Sequence, residues 1–167
     1  MSNRELRFIL EENLSNIDEV NRLKEKYDNG EDWFVDDYFL LDRLPKIERI
    51  RKKVDNNSDS YYYIVGEKSK KEAFSIYEDI FEELRDNSKV FTINKYIISV
   101  IDLKRYKMCL EEIVVNKVRY IAAEIEVNNE IDELAAKAEA LNFFMHNHLR
   151  DVNCTNKSLF KYFKRKG

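Results

Sequence analysis

The chain has 167 residues, 44% of them apolar and 37% charged, with a net charge of −3, a size and balance expected of one soluble domain, or one domain with a helical appendage, that builds its own hydrophobic core. No apolar run approaches the roughly 18 residues of a membrane-spanning helix, and the start, MSNRELRFILEENL, has acids within its apolar pattern and no small-residue cleavage site, so no signal peptide is expected. Cys109 and Cys154 form no CxxC and no metal-type spacing, so free thiols in a reducing cytoplasm are expected.

Ser2 and Glu5 make an S-x-x-E capping box, and Leu6, Leu10, Leu14, Ile17, Val20, Leu23 and Tyr27 recur by threes and fours. This predicts one long helix closed by Asp28-Asn29-Gly30. Phe34, Tyr38, Leu41, Leu44, Ile47 and Val54 continue a helical stripe after the tight turn. Glu31 and Asp32 suit its N-terminus and Arg51, Lys52 and Lys53 its C-terminus, while Pro45 kinks it. Residues 1–55 thus read as an antiparallel helical hairpin.

DNNSDS, Asp55 to Ser60, reads as a linker. Between residues 60 and 127 the period changes. Tyr61 to Val65 reads as a strand. Ser69 and Glu72 form a second capping box for a helix marked by Ala73, Tyr77, Ile80, Phe81 and Leu84. KVFTI and YIISVIDL read as strands. CLEEIVV and VRYIAAEIEV, joined by Asn116-Lys117, read as a hairpin, because the β-branched run Ile113-Val114-Val115 favours strands. A continuous helix over about 106–127 is the rival. From Asn129, Ile131, Leu134, Ala138, Leu141, Met145, His148 and Val152 form a heptad seam over 129–152.

Chemistry is sparse. His146 and His148 are the two histidines. On a helix, positions two apart lie about 200° around the axis, so they cannot share an ion, and no metal site, cofactor or catalytic residue is expected. No P-loop, G-x-S-x-G or nuclease frame is present, and Gly30, Gly66 and Gly167 are too scattered to cradle a phosphate. Two stretches read as partner surfaces. In EDWFVDDYF, helical spacing would place Trp33, Asp36 and Asp37 off the hairpin seam, an aromatic ringed by acids that suits an interface hot spot; core packing of Trp33 is the competing reading. The segment 155–167 reads as a basic amphipathic tail, and its last eleven residues carry Lys157, Lys161, Lys164, Arg165 and Lys166 and no acid, +5 against −8 in the rest. With Leu159, Phe160 and Phe163 on the other side it suits nucleic acid or an acidic partner; the competing reading is a helix docked by its aromatics.

The passage from Ile17 to Leu44, with Trp33, Phe34, Val35, Asp36, Asp37, Tyr38 and Phe39 opening its second half, resembles a family of small uncharacterised proteins encoded on pathogenicity islands and prophages of Gram-positive cocci. The resemblance implies a mobile-element context in which small proteins bind and redirect larger ones.

The expected fold is therefore α+β: an N-terminal antiparallel helical hairpin and a C-terminal heptad helix beside a small mixed β-sheet with one helix, with a nearly all-α fold as the alternative. The expected function is a cytoplasmic, non-enzymatic interaction, inhibitor or regulatory module with a larger host or phage protein as partner. A nucleic-acid-binding accessory protein using the basic tail, and a virion or assembly subunit that self-associates through the heptad helix, are the alternatives.

Overall fold

A computed structural model describes residues 4–66 and 70–164, the side chain of Glu130 excepted. Ser2 and Ser69 of the expected capping boxes, and Arg165 and Lys166 of the basic tail, lie outside the described residues. The elements are β1 (Arg4–Glu11), α1 (Ile17–Tyr27), β2 (Trp33–Leu40), β3 (Glu48–Asp55), β4 (Ser58–Val65), β5 (Glu72–Ser75), α2 (Glu78–Asp86), β6 (Val90–Asp102), β7 (Lys107–Val115), β8 (Val118–Val127), α3 (Glu130–His146), β9 (Asn153–Thr155) and α4 (Leu159–Lys164). The strands join in the order β5-β4-β3-β2-β6-β7-β8-β1-β9.

This overturns both the helical hairpin beside a small mixed sheet and the nearly all-α alternative. In the expected first helix, only Ile17–Tyr27 is helical. Residues 4–11 alternate instead. Leu6, Phe8 and Leu10 are buried on one face, with Glu5 and Arg7 on the other, the period of a strand. Leu6 and Leu10 are four apart, so they fit either period; Phe8 between them fits only the strand. Likewise Phe34 and Tyr38 share one face of β2, and Arg49, Arg51 and Lys53 one face of β3. The expected linker is the tight turn between β3 and β4, where Asn56 takes φ 38° and exchanges two hydrogen bonds with Asp32 (Asn56 N to Asp32 O, 2.9 Å; Asp32 N to Asn56 Oδ1, 3.1 Å). Residues 107–127 are the β7–β8 hairpin, not the rival helix. Its two turn residues, Asn116 and Lys117, take φ 49° and 67°, the left-handed pair whose twist matches a two-residue hairpin.

The chain divides into two compact units: Met1–Gly30 with Ile97–Ile113 and Lys117–Lys157, and Glu31–Tyr96 with Val114–Asn116 and Ser158–Gly167. In the first, α3 packs against β1 and β8. Asn129 caps α3, its side chain accepting from Asp132 N at 2.9 Å. The packed face of α3 is not the heptad seam. Ala136, Ala140 and Phe144 are buried, with Phe144 6.4 Å from Phe8 by ring centroids, while Ile131 and Leu134 are 80% and 72% exposed. Small alanines let the helix lie close to the sheet, and Ile131, Leu134 and Met145 of the seam face outward. Arg119 of β8 ties α1 to the strands, donating to Asn21 Oδ1 at 2.6 Å, Glu112 Oε2 at 3.1 Å and the Glu12 carboxylate. Lys24 of α1 reaches Glu112 at 3.0 Å.

In the second unit α2 lies against β3 and β4. Its buried Phe81 meets Tyr38 and Tyr61, with centroids 5.7 and 5.0 Å apart. α4 is held by Phe160, stacked on Phe39 at 4.5 Å and edge-on to Phe91 at 5.9 Å. The docked-helix reading of the tail thus describes its aromatic side.

Candidate anion-binding face

Directly paired residues of neighbouring strands project to the same side of a sheet. The registers of β2 with β3 and β6, and of β3 with β4, therefore set up three consecutive rows on one face of the second unit. One row is Phe39, Arg49, Phe91 and Ile64; the next is Asp37, Arg51, Ile93 and Tyr62; the third is Val35, Lys53, Lys95 and Ser60. At about 3.3 Å per residue, adjacent rows stand roughly 7 Å apart. Within these three rows four cations, Arg49, Arg51, Lys53 and Lys95, stand with one acid, Asp37. All four cations are half-buried. Trp33 and Asp55 end the face beyond the third row.

The opposite face carries Phe34, Asp36, Tyr38, Lys52, Ile50, Asn94, Tyr61 and Tyr63, and there α2 settles. α4 touches the first row of the cation face, through Phe39 and Phe91.

Asp37 is 3% exposed. Arg51 donates to it twice, Nε to Oδ1 at 2.7 Å and Nη2 to Oδ2 at 2.9 Å, and Arg49 Nη1 lies 3.8 Å from Oδ2. Burial by itself would raise the carboxyl's pKa. The hydrogen bonds from Arg51, with the charges of Arg51, Arg49 and Lys95, outweigh it and hold Asp37 below its ordinary value. Arg49 also lies over the Phe39 ring, 5.4 Å from its centroid. Across the sheet, Asp36 accepts from Asn94 Nδ2 at 2.9 Å. Its pKa is raised, first by burial, against the opposing effects of Asn94 and Lys52.

The first unit has a charged face of the other sign. Glu5 and Arg7 of β1 pair with Glu126 and Glu124 of β8. Arg7 bonds Glu5 and lies 3.5 Å from Glu124, and its Nη1 donates to Lys157 O at 2.9 Å. Glu112 shares the helix-covered side with Arg119, so its neighbour Glu111, which is buried, projects to the same face as Arg7. Among the described residues no three His, Cys, Asp or Glu side chains gather closely enough to hold a metal ion.

The residues singled out from the sequence fall as follows. Trp33 is half-buried at the start of β2, and Asp36 and Asp37 face opposite ways, because neighbours on a strand do so. Lys157, Lys161 and Lys164 are exposed, with the Lys164 Nζ 5.1 Å from the Phe160 ring centroid. His146 ends α3, and His148 takes φ 62° just past it. Cys109 and Cys154 are not disulfide-bonded and are half-buried; burial raises the Cys154 thiol's pKa. No helix among the described residues is long and apolar enough to cross a membrane. The residues that sequence reasoning missed are Arg49, Arg51, Lys53 and Lys95. Their signal was the alternation Arg49-x-Arg51-x-Lys53, which a strand turns to one side and a helix scatters.

No family model matches the chain, and no curated protein does. Its fold is similar to that of a Pyrococcus horikoshii protein (TM-score 0.59, 15% identity, 98% of this chain and 99% of that one). It is also similar to a candidate adenylyl cyclase from Hippeastrum described as having a dominant triphosphatase activity (TM-score 0.58, 12% identity, 98% and 95%). A candidate adenylate cyclase from Bacillus halodurans is a third (TM-score 0.54, 12% identity, 98% and 99%). The expectation that the chain is not an enzyme is corrected on this ground: two of these proteins of like fold are described as candidate adenylyl cyclases, one of them with a dominant triphosphatase activity.

Proposed function

We propose that the chain binds the phosphate chain of a nucleoside triphosphate or inorganic triphosphate on the cation face of its second unit and hydrolyses a phosphoanhydride bond. The observation that carries this is the set Arg49, Arg51, Lys53 and Lys95 on three adjacent rows of one sheet face. The activity named for the Hippeastrum protein of like fold supports it. In the reaction, water adds an oxygen to phosphorus, the anhydride P–O bond breaks, and a proton is released with phosphate and the shortened chain. Charge in such a transfer spreads over the non-bridging oxygens, and fixed cations that meet it there need no reorganisation. Arginine offers paired N–H donors to those oxygens, and lysine a point charge.

The test is release of inorganic phosphate from tripolyphosphate and from ATP, with magnesium, by the purified chain, alongside calorimetric binding of tripolyphosphate. Release is expected, and Arg51→Ala should slow it about 100-fold or more, as for loss of one oxyanion donor. Neither release nor binding by the wild-type chain would overturn the proposal. Cyclic AMP formed from ATP without phosphate release would replace hydrolysis by cyclisation.

A further inference from the structure

Asp37 is a carboxylate set in the middle of a cation face, where bulk electrostatics would have it oppose any anion. Its surroundings are more specific than a stray counter-charge. It is nearly fully buried, takes a two-point hydrogen bond from one edge of the Arg51 guanidinium, and has Arg49 at 3.8 Å on its Oδ2 side. A guanidinium is planar, so fixing its Nε–Nη2 edge also fixes where the Nη1–Nη2 edge points. An arginine held by one contact, or by none, would have to be ordered by the ligand, at the cost of its side-chain freedom.

We infer that Asp37 is a positioning residue for the anion site: it holds Arg51, and secondarily Arg49, in the orientation that meets the phosphate chain. This rests on the triphosphate reading above and adds a claim that charge counting contradicts. If Asp37 acted only through its charge, its removal would leave four cations unopposed and tripolyphosphate would bind more tightly. If it positions Arg51, removal weakens binding although the face becomes more positive.

The experiment compares tripolyphosphate affinity, by calorimetry at fixed salt, for the wild-type chain and Asp37→Asn, a near-isosteric change that removes the charge and one of the two acceptors. A rise in Kd of roughly tenfold or more is expected, the scale of a lost charge-assisted hydrogen bond, with KM for phosphate release rising in parallel. An unchanged or lower Kd overturns the inference. Should Asp37→Asn fail to fold, Arg51→Lys supplies the second arm. It keeps the charge but not the fork, so it should lose affinity by a similar factor; wild-type affinity would overturn the inference. A third readout separates positioning from general structural support. In Arg51→Ala, added guanidinium ion should dock on Asp37 and restore part of the affinity, and in Arg51→Ala/Asp37→Asn it should not. Equal rescue in both overturns the inference. A wild-type chain that binds no tripolyphosphate removes the triphosphate reading itself, a failure distinct from these.

Discussion

Phe160 of α4 stacks on Phe39 of β2 with ring centroids 4.5 Å apart and planes 26° apart. Phe160 and Phe163 are both buried, so this short helix is anchored by side chains that base stacking would require to be exposed. Phe160→Ala should lower stability by about 3–5 kcal/mol, the range for deleting a buried aromatic. Urea unfolding checks it; an unchanged midpoint would mean that α4 is not docked in solution.

The Asp37 carboxyl carries a pH dependence whose sign is fixed. Its folded pKa lies below the ordinary value of an aspartate side chain, so the folded state holds the ionised form more strongly than the unfolded chain does. The resulting stability is fully present above about pH 5, where the unfolded carboxyl is nearly all ionised, and is lost as pH falls through the folded pKa. Denaturation midpoints measured downward from pH 5 should fall for the wild-type chain, and less steeply for Asp37→Asn. Identical slopes would refute the contribution.

Arg119 joins α1 to the strands through Asn21, Glu12 and Glu112. It is about one quarter exposed, which screens part of the interaction. Arg119→Ala should cost about 1.5–3 kcal/mol, the range for hydrogen bonds to charged groups. Thermal unfolding would show it, and a loss under 0.5 kcal/mol, about that of an ordinary surface change, would count against the network.

On α3 the two faces make opposite predictions. Leu134 is exposed and Ala136 is fully buried. Leu134→Ala should change stability by no more than about 0.5 kcal/mol. Ala136→Leu should cost about 1–3 kcal/mol by overpacking. The reverse ranking, read from denaturant midpoints, would restore the heptad seam as the packed face.

How far the sequence could be read depended on whether an element's period was unambiguous. The helical stripe through Ile17 to Tyr27, the helix after Asn129 and the β7–β8 hairpin at Asn116-Lys117 were legible, because each carries a local signal: a run of apolar residues at helical spacing, or a β-branched run about a turn. β1, β2 and β3 were not. Leu6 with Leu10, and Phe34 with Tyr38, are four apart, a spacing that a helix face and a strand face both satisfy, and only pairing in the sheet chooses between them. The acid-rich motif at Asp36-Asp37 read as one exposed surface; the strand instead turns Asp36 toward Asn94 and buries Asp37 against Arg51. Composition and local pattern determined a chain able to form a core with these few segments. The tertiary structure alone brought Lys95 of β6 onto the same face as Arg49, Arg51 and Lys53 of β3, across β2, because the contacts that align them are backbone pairings of β2 with a strand near in sequence (Val35 with Lys53) and with a distant one (Val35 with Lys95), and no local spacing encodes a register.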